Sequence, residues 1–303
     1  MLKEGNYMIV NPYKFPTLKY FGNIIENISQ PTYEQLLMIH TLFKDKIYKK
    51  MLLKKATSYT LFEDIEIETI NRCNGTCSFC PVNRTSDKRK YHLMEEKLFY
   101  SIINQLHELN YKKVVCLHCN NEPLLDNRIF NFLEYARNKL PHAILTLYSN
   151  GTLLTPEKFH RIVPNLNLFI IDNYNNKLEL NDELKPIHEI CKTNNEYDKK
   201  VWITLRKQDE ILTSRSGQAK NRKPIANLSS PCTYPFVQIT IRPDGKVNLC
   251  CNDALGEETL GDTNKETLLE IWNGKNYSRI RQNMLKDRNS HPLCKKCDTV
   301  IVY

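Results

Sequence analysis

Short apolar runs alternate with longer amphipathic stretches between residues 62 and 207. The runs are rich in β-branched side chains and predict five strands, at 62–70, 112–118, 143–151, 166–171 and 200–207. The amphipathic stretches have apolar residues at three- and four-residue intervals and predict helices at about 94–109, 126–139 and 155–163. Strands and helices that alternate in this way predict an α/β fold. We expect a parallel sheet curved into a partial (β/α) barrel, with the active site at the carboxyl ends of the strands.

The chain before this α/β region, which we assign to residues 61–207, is predicted to be an N-terminal helical extension over residues 1–60. Its clearest helix follows Pro31, where five side chains recur at helical spacing: Leu36, Leu37, His40, Phe43 and Ile47. Such a stripe predicts a helix that packs on the next domain. After the α/β region, residues 208–230 are polar and predict a linker or substrate loop.

Residues 231–303 are predicted to form a small C-terminal domain. Two alternating runs on either side of Pro243-Asp244-Gly245 predict a β-hairpin over 236–250. The spacing of apolar residues predicts a mainly helical segment over 267–286. Five of the eleven cysteines of the chain lie in this region, which indicates that the domain is built around a bound group.

Composition narrows the class of protein. Hydrophobic residues make up 41% and charged residues 25% of the chain, which is typical of a folded globular protein. The formal charge of +9 favours an anionic small-molecule substrate, but no run of five like charges supports binding to nucleic acid. No apolar run reaches the ~18 residues of a membrane span and no signal peptide is visible. We therefore expect a cytoplasmic protein without a membrane partner, whose clustered thiols are reduced and bind a metal or cofactor.

The first cysteine group is CNGTCSFC, in which Cys73, Cys77 and Cys80 follow the first predicted strand. Thiolates on a short loop suit either an iron–sulfur cluster or zinc. Three ligands leave one iron of a cubane open for a small molecule, whereas a structural zinc site needs a fourth ligand such as His92 or His118. The spacing alone leaves both interpretations open.

The second group has four cysteines that would close a site: Cys232, Cys250, Cys294 and Cys297. A zinc ribbon with four cysteine ligands and an iron–sulfur cluster both fit this spacing. Cys251 adjoins the candidate ligand Cys250 and is not needed to complete this set of four. The remaining thiols, Cys116, Cys119 and Cys191, are expected to be buried core residues.

The first group, with Phe79 before its last cysteine and its place after the first strand, resembles the cluster loop of the radical S-adenosylmethionine (SAM) enzymes. The resemblance implies a [4Fe-4S] cluster whose open iron chelates SAM, and reductive cleavage of SAM to methionine and a 5′-deoxyadenosyl radical. In that family a Gly-Gly-Glu turn after the second strand contacts SAM. Asn120-Asn121-Glu122-Pro123 occupies its place here, without the glycines. Four residues are therefore implied to contact the cofactor: Phe79, Asn121, Glu122 and Asn150.

Residues 230–298 resemble the twitch form of the SPASM extension of radical SAM enzymes. This implies one auxiliary [4Fe-4S] cluster bound by the second cysteine group. From Ile65 to Val300 the chain is similar to twitch-type enzymes of aminoglycoside biosynthesis, of the 2-deoxy-scyllo-inosamine dehydrogenase type. The resemblance implies oxidation of a sugar-like or aminocyclitol alcohol, with the auxiliary cluster accepting one electron and flavodoxin or ferredoxin as reductant. Arg215 would then stabilise the developing alkoxide.

Two alternatives stay open. One is a different radical reaction: either epimerisation, in which Cys251 donates a hydrogen atom to the substrate radical, or peptide modification. For the latter, 60 N-terminal residues are few for a leader-binding domain. The other is a non-enzymatic zinc or iron–sulfur binding protein.

Overall fold

The computed structural model describes residues 60–84, 87–197, 200–221 and 228–300, and the backbone of residues 2–3 and 8–10. It also describes six helical residues nearer the N-terminus: Ile39, Leu42, Asp45, Lys50, Met51 and Lys54. The five side chains of the predicted docking helix, Leu36, Leu37, His40, Phe43 and Ile47, lie outside the described residues. No helix among the described residues is long and apolar enough to cross a membrane.

One mixed sheet organises the described part of the chain. Its strands are β1 Leu2–Lys3, β2 Met8–Val10, β3 Asp64–Ile67, β4 Val114–Cys116, β5 Ile144–Ser149, β6 Leu168–Tyr174, β7 Val201–Arg206, β8 Gln238–Ile241, β9 Lys246–Asn248 and β10 Thr259–Asp262. They lie in the order β1-β2-β7-β6-β5-β4-β3-β8-β9-β10. Pairing is parallel from β2 to β8 and antiparallel at both edges. The sheet is open, because its edge strands are not paired with each other.

The five predicted strands correspond to β3–β7 and are confirmed as neighbours in a parallel sheet. Two further strands pair in parallel with this set, and neither pairing was predicted. β2 lies in the stretch expected to be a helical extension, and β8 belongs to the predicted hairpin but also pairs with β3, so that Asp64 faces both Val114 and Gln238. The sheet therefore continues across the boundary predicted at 208–230.

The helices are α1 Glu96–Glu108, α2 Ile129–Lys139, α3 Pro156–Ile162, α4 Lys185–Thr193, α5 Tyr234–Val237, α6 Leu268–Asn273, α7 Lys275–Lys286 and α8 Pro292–Lys296. Short 3₁₀ turns lie at Pro123–Leu125, Val163–Asn165, Asp182–Leu184, Asn195–Tyr197, Arg215–Gly217 and Arg288–Ser290. The three predicted helices of the α/β region are confirmed as α1–α3. Helix α4 contains Cys191, and its bounds were not predicted; Ile187 and Cys191 are the buried residues among its nine.

The helices bury aromatic side chains against one another and against the sheet. Phe99 of α1 stacks on Phe132 of α2 with ring centroids 4.1 Å apart. Phe62, just before β3, meets Trp272 of α6 edge-on at 5.4 Å. Because Phe62 is fully buried and belongs to one continuous cluster with residues of both regions, the C-terminal segment is anchored directly to the first strand of the α/β region.

Asp45 ties the N-terminal region to the segment that precedes Cys232. Its side chain is 6% exposed and accepts hydrogen bonds from the backbone N–H and the hydroxyl of both Ser229 and Ser230, at 2.6–3.1 Å. Burial raises the pKa of Asp45, but these hydrogen bonds outweigh it, so the pKa lies below its ordinary value. The carboxylate form is therefore the one that the fold stabilises.

Replacing Asp45 by asparagine is expected to lower the free energy of unfolding at pH 7 by about 1–3 kcal/mol, since an amide N–H then faces buried donors. A carboxylate with a lowered folded pKa contributes stability above its unfolded pKa of 3.8 and loses it as the pH falls through the folded value. Urea unfolding should therefore show a smaller difference in free energy of unfolding between the wild type and Asp45→Asn at pH 3 than at pH 7. The exposed Asp209→Asn serves as control, and an equal effect of both variants would contradict the prediction.

Candidate active site and cysteine clusters

A cavity of about 300 Å³ opens at the carboxyl ends of the parallel strands. Five successive strands, β3 to β7, contribute side chains at or just beyond their ends. The lining includes Cys73, Cys77, Phe79, Cys80, His118, Cys119, Asn121, Glu122, Tyr148, Asn150, Asp172, Tyr174, Arg206, Arg215 and Cys251. The three cysteines of the first group, the four predicted cofactor contacts and both predicted catalytic residues therefore share one cavity.

The first cysteine loop folds around its own thiols. A Cβ added at Gly75 would lie 3.3 Å from Sγ of Cys73 and 3.9 Å from Sγ of Cys77, so a larger residue would crowd the Cys73 thiol. The backbone N–H of Gly75 also donates to Sγ of Cys73 at 3.2 Å. Arg84 holds the loop from outside by donating to the backbone oxygens of Thr76 and Cys77.

Burial and mutual repulsion disfavour the charged thiolate forms of Cys73 and Cys77. Burial raises the pKa of Cys73 to about 11, and the charges of Glu122 and Cys80 add to it. Burial also raises the pKa of Cys77 to about 12, with Cys80 and Cys73 as the next contributors. A cationic metal core reverses this balance by deprotonating the thiols that bind it, so the donor set fits a metal cluster.

Glu122 is 1% exposed and its carboxylate is held by three donors. One oxygen accepts from the backbone N–H of Leu124 at 3.0 Å and the hydroxyl of Ser149 at 2.9 Å; the other accepts from the backbone N–H of Asn150 at 2.7 Å. Burial raises the pKa of Glu122. The carboxylate thus caps the 3₁₀ turn after β4 and also lines the cavity.

The two asparagines differ in how fully they are bound. Asn150 donates to Oδ1 of Asn74 at 2.8 Å and accepts from Thr152, which joins the end of β5 to the cysteine loop. Asn121 accepts from the backbone N–H of Cys119 at 3.1 Å, while its amide Nδ2 is buried and has no partner among the described residues. Asn121 therefore offers an unused donor at the cavity.

Arg215 and Cys251 lie side by side in the cavity. Nη1 of Arg215 donates to the backbone oxygen of Cys251 at 3.1 Å. Arg215 and Ser216 both have left-handed backbone conformations, with φ of 48° and 55°, and such strain in non-glycine residues is found at functional sites. The loop is fixed by Ser214, whose N–H donates to Asp298 at 2.8 Å and whose hydroxyl donates to the Lys296 oxygen at 2.9 Å. The second cysteine segment therefore positions Arg215.

Sequence reasoning missed Glu66, which reaches the cavity from the middle of β3. Its Oε2 accepts from the Thr240 hydroxyl at 3.1 Å. Burial and then the charge of Asp64 raise the pKa of Glu66 to about 8, while Arg215 acts in the opposite direction. Asp172 and Arg206 were not predicted either; they form an ion pair of 3.7 Å at the ends of β6 and β7.

The four cysteines of the second group are all buried, and Cys250 lies close enough to the other three to interact with them electrostatically. They are 6–9% exposed. Burial raises the pKa of Cys250, and the charges of Cys251 and of the other three thiols raise it further. Cys232 precedes α5, Cys250 follows β9, Cys294 lies in α8 and Cys297 ends it. The hairpin formed by β8 and β9 is confirmed, and it brings Cys250 towards the other three thiols.

Zinc and a cubane place different demands on their cysteine ligands. Zinc holds its thiolates at ~2.3 Å, whereas the ligands of a cubane bind separate irons and stand farther apart. Within the described ranges, no group of three Cys, His, Asp or Glu side chains is arranged to hold a metal ion. His92 is exposed, and burial lowers the pKa of His118 to about 3 while its ring stacks on Tyr148 at 5.4 Å.

Two family profiles match the chain. That of the radical SAM superfamily matches residues 67–207, and that of an iron–sulfur cluster-binding domain, SPASM, matches residues 232–298. The first match contains the first cysteine group and the cavity lining from the end of β3 to β7, and the second begins at Cys232 and ends one residue after Cys297. The two matches thus cover the two cysteine groups separately.

A curated relative and two solved structures resemble the chain over most of their length. The S-adenosyl-L-methionine-dependent 2-deoxy-scyllo-inosamine dehydrogenase of Niallia circulans is 25% identical over 245 residues, which are 80% of this chain and 95% of the relative. The structure of BtrN in complex with AdoMet and 2-DOIA has a TM-score of 0.68 at 24% identity, with 80% of this chain and 95% of that chain covered. The structure of anSMEcpe with bound AdoMet has a TM-score of 0.52 at 13% identity, over 78% and 85%. Both structures share the fold.

Proposed function

The chain belongs to the radical SAM superfamily and carries a SPASM-type iron–sulfur domain, and we propose that it oxidises an alcohol group of an aminocyclitol or a similar sugar-like molecule. The observation that carries the proposal is the single cavity that joins the cysteine loop to Arg215 and Cys251. The curated relative is a dehydrogenase of 2-deoxy-scyllo-inosamine, which supports this substrate class.

The chain supplies a place for each cofactor. Cys73, Cys77 and Cys80 would hold the first [4Fe-4S] cluster, with Phe79, Asn121, Glu122 and Asn150 around SAM. Cys232, Cys250, Cys294 and Cys297 would hold the auxiliary cluster. When bound, these groups supply the radical that removes a hydrogen atom from the substrate and the acceptor for the electron left behind.

Arg215 would hold the reacting hydroxyl group. Its guanidinium is fixed at one end by the Cys251 oxygen, and its remaining donors are available to a substrate oxygen in the cavity. A fixed cation stabilises the negative charge that develops as the hydroxyl loses its proton. Arg215 contacts Cys251, and Cys251 directly follows the candidate cluster ligand Cys250. This contact would therefore hold the reacting hydroxyl group close to that ligand.

Glu66 would accept the hydroxyl proton. Its carboxyl group lines the same cavity as Arg215 and interacts with it electrostatically. With a pKa of about 8, the group can both take up and release a proton near neutral pH, as a general base requires.

If Glu66 is the base, its carboxylate form is the active one, so the rate of product formation should rise with pH. We expect an increase of about tenfold between pH 7 and pH 9, centred near the pKa of about 8. Glu66→Gln should remove this pH dependence. A wild-type rate that is independent of pH over this range, or a Glu66→Gln variant with the same pH dependence, would rule out Glu66 as the base.

The positive net charge of +9 favours an acidic protein as reductant. Flavodoxin and ferredoxin are the reductants that we propose. Their contribution is measured by comparing 5′-deoxyadenosine formation with each of them and with a chemical reductant.

Epimerisation is the second candidate, and the Cys251 thiol supports it. Cys251 lines the cavity, and burial raises its pKa, so it remains a protonated thiol able to donate hydrogen. Incubation of the reduced protein with SAM and 2-deoxy-scyllo-inosamine or related aminocyclitols in D2O separates the two reactions. Formation of a ketone supports oxidation. A stereoisomer of the substrate with one deuterium at carbon would overturn it in favour of epimerisation.

A further inference from the structure

Arg288 is a buried cation beside the second cysteine group. It lies in the 3₁₀ turn between α7 and α8 and is 3% exposed. Its Nη2 donates to the backbone oxygens of Cys297 at 3.1 Å and Thr299 at 2.9 Å. The donors on Nε and Nη1 are buried and have no hydrogen-bond partner among the described residues.

Three thiols of the second cysteine group lie close enough to this guanidinium to interact with its charge. Burial lowers the pKa of Arg288, but Cys232, Cys297 and Cys294 raise it above its ordinary value. Burial likewise raises the pKa of Cys232, and the charge of Arg288 acts against it. A buried cation with unused donors requires an anionic acceptor, because desolvation of an unpaired charge is unfavourable.

A [4Fe-4S] cluster bound by four thiolates is such an acceptor. Its oxidised form has a formal charge of roughly −2 and its reduced form roughly −3. Cluster sulfur atoms accept hydrogen bonds, and these bonds, together with nearby charge, set the reduction potential.

We propose that Arg288 donates hydrogen bonds from Nε and Nη1 to the auxiliary cluster and thereby raises its reduction potential. The positive charge stabilises the reduced cluster more than the oxidised one, because the reduced cluster is more negative. Arg288 thus makes the auxiliary cluster a better electron acceptor. This role of Arg288 requires the auxiliary cluster but not alcohol oxidation. A test can therefore overturn one of the two proposals without affecting the other.

The test is a redox titration of the full chain, anaerobically reconstituted and followed by the EPR signal of the reduced cluster. Cys73, Cys77 and Cys80 are replaced by alanine in every sample, so that the auxiliary cluster alone is observed. In this background we compare Arg288→Gln, Arg288→Lys and the control Arg279→Gln. Arg279 lies on α7, and its side chain is 60% exposed in an ion pair with Glu258.

At a fixed ambient potential, Arg288→Gln is expected to lower the ratio of reduced to oxidised cluster at least about tenfold, a shift of about 59 mV for a one-electron couple. Arg288→Lys keeps the positive charge but loses the guanidinium N–H donors. It should therefore lower the reduction potential by less than Arg288→Gln does. Arg279→Gln should match the unchanged background. If Arg288→Gln fails to hold about four irons per chain, Arg288→Lys decides. An unchanged midpoint in the Arg288 variant that retains the cluster overturns the proposal.

Discussion

Replacing Cys77 by alanine is expected to reduce 5′-deoxyadenosine formation from SAM more than about 100-fold, because even residues that only orient a metal ligand contribute about 10- to 100-fold. Cys77 lies in the middle of the first cysteine group, between Cys73 and Cys80, and it lines the cavity. With two thiols left, the loop lacks the ligands of a cluster that keeps one iron open for SAM. The measurement is chromatographic quantification of 5′-deoxyadenosine under anaerobic, reducing conditions.

Cys191→Ala is the matched control, since this buried thiol lies on α4 and does not line the cavity. The variant should keep its activity and about eight irons per chain, the content of two cubanes, whereas Cys77→Ala should keep about four. Undiminished 5′-deoxyadenosine formation by Cys77→Ala would show that the first cysteine group is not the SAM-binding site.

Replacing Arg215 by methionine is expected to lower the rate of ketone formation about 10²- to 10³-fold, as found when one fixed donor to a developing oxyanion is removed. Methionine fills much of the same space but has neither the charge nor the N–H groups that would bind the hydroxyl. SAM cleavage depends on the cysteine loop, so 5′-deoxyadenosine should still form. Its amount should then exceed the amount of ketone. The ratio of 5′-deoxyadenosine to ketone is therefore the measurement.

Cys251→Ala is the control for this change, because the contact that holds Arg215 uses the backbone oxygen of Cys251 and not its thiol. Oxidation should continue in this variant. Parallel loss of 5′-deoxyadenosine and ketone in Arg215→Met would instead indicate that Arg215 stabilises the fold or the cluster. Loss of product in Cys251→Ala alone would favour the thiol as hydrogen donor.

The sequence was sufficient for the features that depend on neighbouring residues. The cysteine spacings and the alternation from β3 to β7 are local patterns, and they predicted the parallel sheet and the place of the first cysteine group at its carboxyl edge. The three residues of β2 are too few to produce a period. Its pairing with β7 depends on contacts across nearly 200 residues of sequence, which no local pattern records.

Glu66 was missed for a different physical reason. In β3, isoleucines alternate with acids, and this alternation is ordinarily read as a buried face and a solvent face. Here both faces are covered: Ile65 and Ile67 are fully buried, and Glu66 points into the cavity. A polar face that lines an internal cavity has the same pattern in sequence as one that faces water.

The spacing of the second cysteine group does not decide which metal group it binds. Four cysteines at these spacings suit zinc and a cubane equally, because the sequence gives ligand identity and order but not the distances between sulfur atoms. The SPASM match and the burial of all four thiols beside Arg288 favour the cluster.

The measurement that tests alcohol oxidation by a radical most directly uses a substrate with deuterium on the carbon that bears the hydroxyl. The reduced, reconstituted protein is incubated anaerobically with SAM and this substrate, and both products are analysed by mass spectrometry. The account predicts that 5′-deoxyadenosine gains one deuterium and forms in equal amount to a ketone. Formation of 5′-deoxyadenosine without deuterium, or of a product that remains an alcohol, would contradict it.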